Sequence, residues 1–142
     1  MPVRIYHEQH HRQRTMLYRA GRTTTYPEDP VEKGVRFHFL GGAGEVGNVG
    51  CVIEDHTGTK VLMDYGLAPT KPPKYPSEAP LMDHAVITHS HIDHIGMAPW
   101  LVGHHGTTLH GSRLTSNLSE IMWRETYKVS SSEGYPLAWD KR

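Results

Sequence analysis

The first clear alternation of apolar and polar residues along the chain lies at Val35, Phe37 and Phe39. These three side chains share one face of an extended backbone, because successive residues of a strand point to opposite sides of a sheet. Residues 49–54 form a second apolar run, and the turn-forming residues after it lead into a third run at 60–64. The pattern therefore predicts one half-buried strand followed by a β-hairpin.

The character of the chain changes in its second half. Residues 65–80 contain five prolines and one glycine, which predicts an irregular surface loop. A short apolar strand at 84–88 leads into a polar stretch, a helical pattern resumes at 95–102, and a further strand is predicted at 107–110. A last helix, capped by Thr115 or Ser116, is predicted from apolar residues spaced three or four apart, namely Leu118, Ile121, Met122 and Val129.

The order of these elements indicates an α/β layered domain with its polar stretch at the carboxyl end of a strand. A chain of 142 residues is long enough for one such domain with a core of its own. Residues 1–34 end in a segment rich in Pro, Glu and Gly, so we expect an amino-terminal extension and connector there. The domain itself is expected at residues 35–142.

Charge and composition restrict the possible partners. The chain balances 15 Lys and Arg with 15 Asp and Glu, which argues against a nucleic-acid binder. The first 24 residues are the exception, with five arginines and one glutamate, although a solvated tail also explains them. No run of about 18 apolar residues and no signal-peptide pattern is present, so we expect a cytoplasmic protein without a membrane partner.

The residues that follow the strand at 84–88 have the composition of a metal site. Three imidazoles and one carboxylate fall within six positions, at His89, His91, Asp93 and His94. Zinc accepts nitrogen and oxygen ligands together because it is of borderline softness. A chance run is the alternative in a chain with 12 histidines, but the preceding strand and the following glycine argue against it. No ligand role is predicted for His38, His84, His104, His105 or His110.

The same residues resemble a known family. The segment His89-Ser90-His91-Ile92-Asp93-His94 is similar to the H-x-H-x-D-H signature of metallo-β-lactamase-fold hydrolases, and Asp64 is similar to their earlier strand-ending aspartate. Together with residues 41–47, 63–66 and 88–99, these motifs resemble the β-CASP nucleases, which include ribonuclease J and the archaeal relatives of the pre-mRNA 3′-end cleavage factor. The resemblance covers about residues 35–128.

The resemblance implies a fold and an activity. The fold would be the amino-terminal half of a metallo-β-lactamase αββα sandwich, with a mostly antiparallel or mixed sheet and flanking helices. The activity would be that of a zinc-dependent ribonuclease, which hydrolyses phosphodiester bonds in RNA processing or decay. His89 and His91 would bind the first of two zinc ions, and Asp93 and His94 the second. Catalytic roles are implied for Asp93 and for Asp64, which would orient the ligands and help to hold the bridging water.

The chain also departs from the family pattern. We find no match for the further histidine and the bridging aspartate that complete the site in the family, so we expect the isolated 142-residue chain to be inactive. Half a sandwich would expose an apolar face to water. A missing carboxyl-terminal portion, a second chain or self-association would have to cover that face.

Two other functions remain open at this point. A small-molecule hydrolase of the same superfamily, such as a thioesterase or lactonase, would account for the balanced charge. A non-catalytic interaction subunit would keep the motif only for a structural metal. Zinc content and RNA cleavage separate these three hypotheses.

Overall fold

A computed structural model describes residues 4–8, 15–19 and 33–139 of the chain. The strands are β1 (Arg4–Glu8), β2 (Thr15–Arg19), β3 (Val35–Gly41), β4 (Gly50–Asp55), β5 (Lys60–Met63), β6 (His84–Val86) and β7 (Thr108–His110). The helices are α1 (Ile92–Ile95), α2 (Ala98–His105) and α3 (Arg113–Glu133). Strands β1 and β2 pair as an antiparallel hairpin inside the expected extension, where the sequence pattern predicted no strand.

The main sheet has the strand order β3-β4-β5-β6-β7. Its first three strands are antiparallel, whereas β5, β6 and β7 run parallel to one another. Antiparallel neighbours need only a tight turn, which Asp55 and Gly58 form between β4 and β5. The parallel strands are joined by longer connections. The predicted α/β class with a mixed sheet and flanking helices is confirmed, and the two-sheet sandwich stays a prediction.

The core lies on one face of this sheet. Val52, Leu62 and Ala85 are register neighbours on three adjacent strands and are almost completely buried. Trp100 and Leu101 of α2 belong to the same core cluster. Helix α2 ends at Gly106, whose φ of 69° is left-handed and suits a residue without a side chain. The sequence pattern predicted a helix at 95–102, and the structure places α2 three residues later, with Trp100 and Leu101 in the core.

The opposite face of the sheet is apolar and open. Val35, Phe37 and Phe39 are 52–58% exposed, whereas Leu40 faces the core. The apolar face expected to be the buried one in β3 is thus the exposed one, because the covering helices lie on the other side. Phe39 begins a register row that continues through Cys51, Met63 and Val86 on the neighbouring strands. This arrangement agrees with the expectation that the fold exposes an apolar face.

Helix α3 begins earlier than the sequence pattern predicts. Ser112 is the N-cap, because its side chain accepts a hydrogen bond from the backbone N–H of Thr115 at 3.0 Å. Trp123 packs against the core and donates a hydrogen bond to the carbonyl of Ile95 at 2.8 Å. The periodic residues Leu118, Ile121 and Val129 are exposed instead. Among the described residues, no helix has the length and apolarity needed to cross a membrane.

Candidate metal centre

Residues 89–94 follow the carboxyl end of β6 and include the first three residues of α1. Backbone hydrogen bonds hold this segment from two sides. Val49 donates to the carbonyl of Asp93 at 2.8 Å, and Tyr65 donates to the carbonyl of His94 at 2.8 Å. The residues that precede β4 and those that follow β5 are thereby joined to the motif. The motif is therefore packed against the ends of the strands rather than being a free loop.

A close approach of backbones makes glycine necessary beside the motif. Gly66 follows β5, and a Cβ atom placed on it would overlap the carbonyl group of Asp93. Gly47 has a φ of 85°, and a Cβ atom placed on it would lie 3.0 Å from the Cβ atom of Ala68. These two glycines let residues 47–49 and 64–67 pack directly on the motif backbone. The glycine-rich segment at 41–50 therefore shapes the site through its backbone.

Asp64 is the buried anchor of the site. Asp64 is only 2% exposed, and its backbone has a left-handed φ of 59°. Oδ1 accepts a hydrogen bond from the backbone N–H of Thr88 at 2.8 Å, and Oδ2 accepts one from the Thr88 hydroxyl at 2.8 Å. A buried carboxylate needs such donors because its charge is costly to remove from water.

The same carboxylate contacts the motif directly. Oδ2 of Asp64 lies 2.8 Å from Nδ1 of His94. Because an ionised carboxylate can only accept, this contact requires a proton on Nδ1 of His94, the arrangement that carboxylates make with metal-bound histidines. Nε2 of His94 lies 3.6 Å from Oδ2 of Asp93. Asp64 and Asp93 therefore lie near opposite nitrogen atoms of the His94 ring.

The other two histidines form a second pair of donor atoms. Nε2 of His89 lies 3.0 Å from Nδ1 of His91. The ring of His89 is also 4.0 Å from the ring of His94, measured between centroids, so the two pairs are adjacent. The Thr88 hydroxyl, which the sequence analysis did not single out, lies 3.0 Å from Nδ1 of His89. The sequence signal for this contact was a hydroxyl residue placed between the predicted strand and the motif.

The spacing of each pair fits zinc chemistry. Two ligand atoms on one tetrahedral zinc ion lie about 3.3 Å apart, because each bond is about 2.0–2.1 Å long. The separations of 3.0 Å in the His89–His91 pair and 3.6 Å in the Asp93–His94 pair lie on either side of this value. Within residues 33–139, however, no group of three or more His, Cys, Asp or Glu side chains is arranged to hold a metal ion.

All five predicted site residues thus come together at the carboxyl ends of β5 and β6, where the four motif residues form two pairs of donor atoms and Asp64 contacts His94. Catalytic zinc sites normally have three protein ligands for each ion. Metal binding by His89, His91, Asp93 and His94 stays a prediction, as does the role of Asp64.

Comparison with known proteins adds independent information. No family model matches the chain. It is 31% identical over 150 residues to the transcription termination factor FttA of Methanocaldococcus jannaschii, a match that covers 97% of this chain. It is 30% identical over 106 residues to the RNase aCSPSF2 of Saccharolobus solfataricus, which covers 71% of this chain. It is 33% identical over 97 residues to ribonuclease J of Corynebacterium glutamicum, which covers 58% of this chain.

These relatives are much longer than the matched region. The chain spans 22% and 23% of the FttA proteins of Lokiarchaeum and Methanocaldococcus jannaschii. It spans 21% of the RNase aCSPSF2 and 13% of the ribonuclease J. The relatives and the partial coverage agree with the family resemblance that the motifs carry. The chain therefore belongs to the β-CASP nucleases of the metallo-β-lactamase superfamily and is similar to an amino-terminal portion of such proteins.

Proposed function

We propose that the chain provides the first half of the dinuclear metal site of a zinc-dependent ribonuclease that acts in RNA processing or decay. The observation that carries this proposal is the pairing of donor atoms at the carboxyl end of β6, with His94 oriented by a buried carboxylate. The names of the relatives, which include RNases and a ribonuclease J, support RNA as the substrate. A cytoplasmic location, where such substrates occur, is part of the proposal.

Each residue would have a distinct role in that site. His89 and His91 would offer two nitrogen atoms to one ion, while Asp93 and His94 would offer an oxygen and a nitrogen to the other. Two bound zinc ions supply a water of lowered pKa and positive charge for the phosphate oxygens. Asp64 would act through its contacts with Thr88 and His94, so we assign it a positioning role.

The isolated chain would bind zinc weakly and would not cleave RNA. Each donor pair supplies two of the roughly three protein ligands that a catalytic zinc ion takes. Additional ligands would have to come from further residues of a longer polypeptide, from a second chain or from another copy of this chain. The same partner would cover the open apolar face of the sheet.

The test compares zinc content and RNA cleavage in two forms of the protein. Both the 142-residue chain and the longest polypeptide that its reading frame encodes are incubated with a labelled single-stranded RNA. We expect cleavage by a complete protein, a loss of at least a hundredfold on Asp93→Ala, and little change on Asp83→Ala, an exposed aspartate outside the motif. Equal cleavage by the Asp93→Ala variant would show that the metal-site assignment is wrong.

A small-molecule hydrolase of the same superfamily is the second candidate. The equal numbers of acidic and basic residues favour it, because a protein that binds RNA usually carries an excess of Lys and Arg. The same protein preparation is assayed with thioester and lactone substrates. Turnover of these substrates without RNA cleavage would replace the ribonuclease proposal. Zinc bound without either activity would favour the non-catalytic interaction subunit.

A further inference from the structure

His84 and His110 form a second pair of imidazoles outside the motif. His84 is the first residue of β6, and His110 is the last residue of β7. Both side chains are exposed. Nδ1 of His84 lies 3.0 Å from Nε2 of His110, and the ring centroids are 5.0 Å apart. In the part of the chain that the structure describes, neither ring has another hydrogen bond or ion pair.

The strand register explains why the two rings meet. Strands β6 and β7 are parallel, with His84 opposite Thr108 and Val86 opposite His110. The two histidines are therefore diagonal neighbours across the strands, within reach of long side chains. Ala85, between His84 and Val86, is buried in the core, so His84 lies on the open face of the sheet. The pair is thus separate from the donor atoms at the carboxyl end of β6.

Two ring nitrogens at this distance have two chemical options. In the free protein the N–H of one ring donates a hydrogen bond to the nitrogen of the other. Alternatively, both lone pairs face a metal ion, since two ligands on one tetrahedral zinc ion lie about 3.3 Å apart. The separation is the same 3.0 Å that joins His89 and His91 in the motif. The geometry that supports the motif pair as a metal ligand pair therefore applies equally to His84 and His110.

We propose that His84 and His110 form a second, independent metal site, which takes one divalent ion of borderline softness such as Zn²⁺, Ni²⁺ or Cu²⁺. Imidazole is a good ligand for all three ions, and water molecules complete the coordination in the 142-residue chain, where this face of the sheet is open. The ion links β6 to β7, which pair at three register positions. Strand β7 is an edge strand of the sheet, and β6 precedes the motif. The ion therefore connects the edge strand to the strand that leads to His89.

The site also changes how metal analysis of this protein is interpreted. The amount of zinc bound by the unmodified chain includes the zinc at the motif and the zinc at the His84–His110 pair. The second site does not depend on the proposed ribonuclease function, and removal of the motif ligands leaves it in place. Binding to each site is therefore measured in a background that lacks the other.

The experiment is a calorimetric titration of the full 142-residue chain with Zn²⁺. The background variant carries His89→Ala, His91→Ala, Asp93→Ala and His94→Ala to remove the motif ligands, together with His7→Ala, His10→Ala and His11→Ala to remove the amino-terminal histidines. We expect one zinc ion to bind, and His84→Ala or His110→Ala to weaken it at least tenfold. His56→Ala is the matched control, because His56 is exposed in the β4–β5 turn. Circular dichroism checks that each variant is folded.

Two results would overturn the proposal. One is zinc binding that is unchanged by His84→Ala and by His110→Ala, and the other is an equal loss caused by His56→Ala. If the background variant does not fold, Ni²⁺ is added to the unmodified chain and the backbone amide signals are followed by nuclear magnetic resonance. Selective broadening at Val86 and Thr108 that His110→Ala abolishes supports the site, and its absence contradicts it.

Discussion

Oδ2 of Asp64 lies 2.8 Å from Nδ1 of His94, although the two residues are 30 positions apart in the sequence. The carboxylate is buried and the imidazole is half-buried. Asp64 also accepts hydrogen bonds from both the backbone N–H and the hydroxyl of Thr88. One side chain thus links the end of β5 to the residue before the motif and to the last residue of the motif.

The first prediction concerns this link. Asp64→Asn preserves the size of the side chain and tolerates the left-handed backbone, but it removes the charge and one acceptor oxygen. We expect the free energy of unfolding to fall by about 1–3 kcal/mol, because the buried side chain no longer accepts all of its hydrogen bonds. Zinc affinity of the motif should fall about 10- to 100-fold. Urea denaturation and zinc titration measure the two effects, with the exposed Asp83→Asn variant as the control.

The second prediction concerns the backbone contact between Gly66 and Asp93. Gly66→Ala places a methyl group against the Asp93 carbonyl, where no space exists. We expect a loss of about 3 kcal/mol in unfolding free energy, which is typical of overpacking in a rigid environment. The matched control is Gly44→Ala, because a Cβ atom on Gly44 has no neighbour within 4 Å. Equal urea midpoints for the two variants would contradict the close approach.

The third prediction concerns the turn between β4 and β5. Oδ1 of Asp55 accepts hydrogen bonds from the hydroxyl and the backbone N–H of Thr57 and from the N–H of Thr59. These bonds, that of the Thr57 hydroxyl foremost, lower the pKa of Asp55 below its usual value. A carboxyl whose pKa is lowered by folding stabilises the protein above its unfolded-state pKa, and this stabilisation disappears as the pH falls through the folded-state pKa.

The contribution of the Asp55 carboxylate to stability is tested by comparing the parent chain with the Asp55→Asn variant. We expect the difference in their unfolding free energies to be largest near neutral pH and to shrink as the pH falls below about 4. Thr57→Ala removes the main hydrogen-bond donor, so it should reduce the pH dependence of that difference. Urea midpoints measured from pH 7 to pH 3 provide the data. A difference that grows toward low pH would have the wrong sign.

The fourth prediction concerns the open face of the sheet. Phe37 and Phe39 are each 58% exposed, and contiguous apolar surface of this kind promotes association. We expect the 142-residue chain to self-associate in a concentration-dependent manner and Phe37→Ser with Phe39→Ser to reduce this association. Sedimentation velocity measures the effect. The control is Leu62→Ala, which lies in the core and should lower stability by about 2–5 kcal/mol. Association that survives both serine substitutions would place the contact elsewhere.

Local pattern was sufficient for much of this protein. Alternating and periodic apolar residues located β3, the β4–β5 hairpin and α2, because the periods of strand and helix differ. The five prolines of residues 65–80 predicted the long irregular connection that the structure contains. The six-residue motif indicated the metallo-β-lactamase superfamily, and its combination with residues 41–47 and 63–66 indicated the β-CASP nucleases.

Tertiary structure decided what depends on contacts between distant segments. The apolar face of β3 is exposed because α2 and the core cover the other side, and a period of two does not reveal which side a helix will cover. The contact between His94 and Asp64 requires β5 and β6 to be neighbours. Likewise, His84 and His110 are 26 positions apart in the sequence and meet because β6 and β7 run side by side. Residue types and their periods are local properties, whereas pairs of atoms are made by the packing of strands.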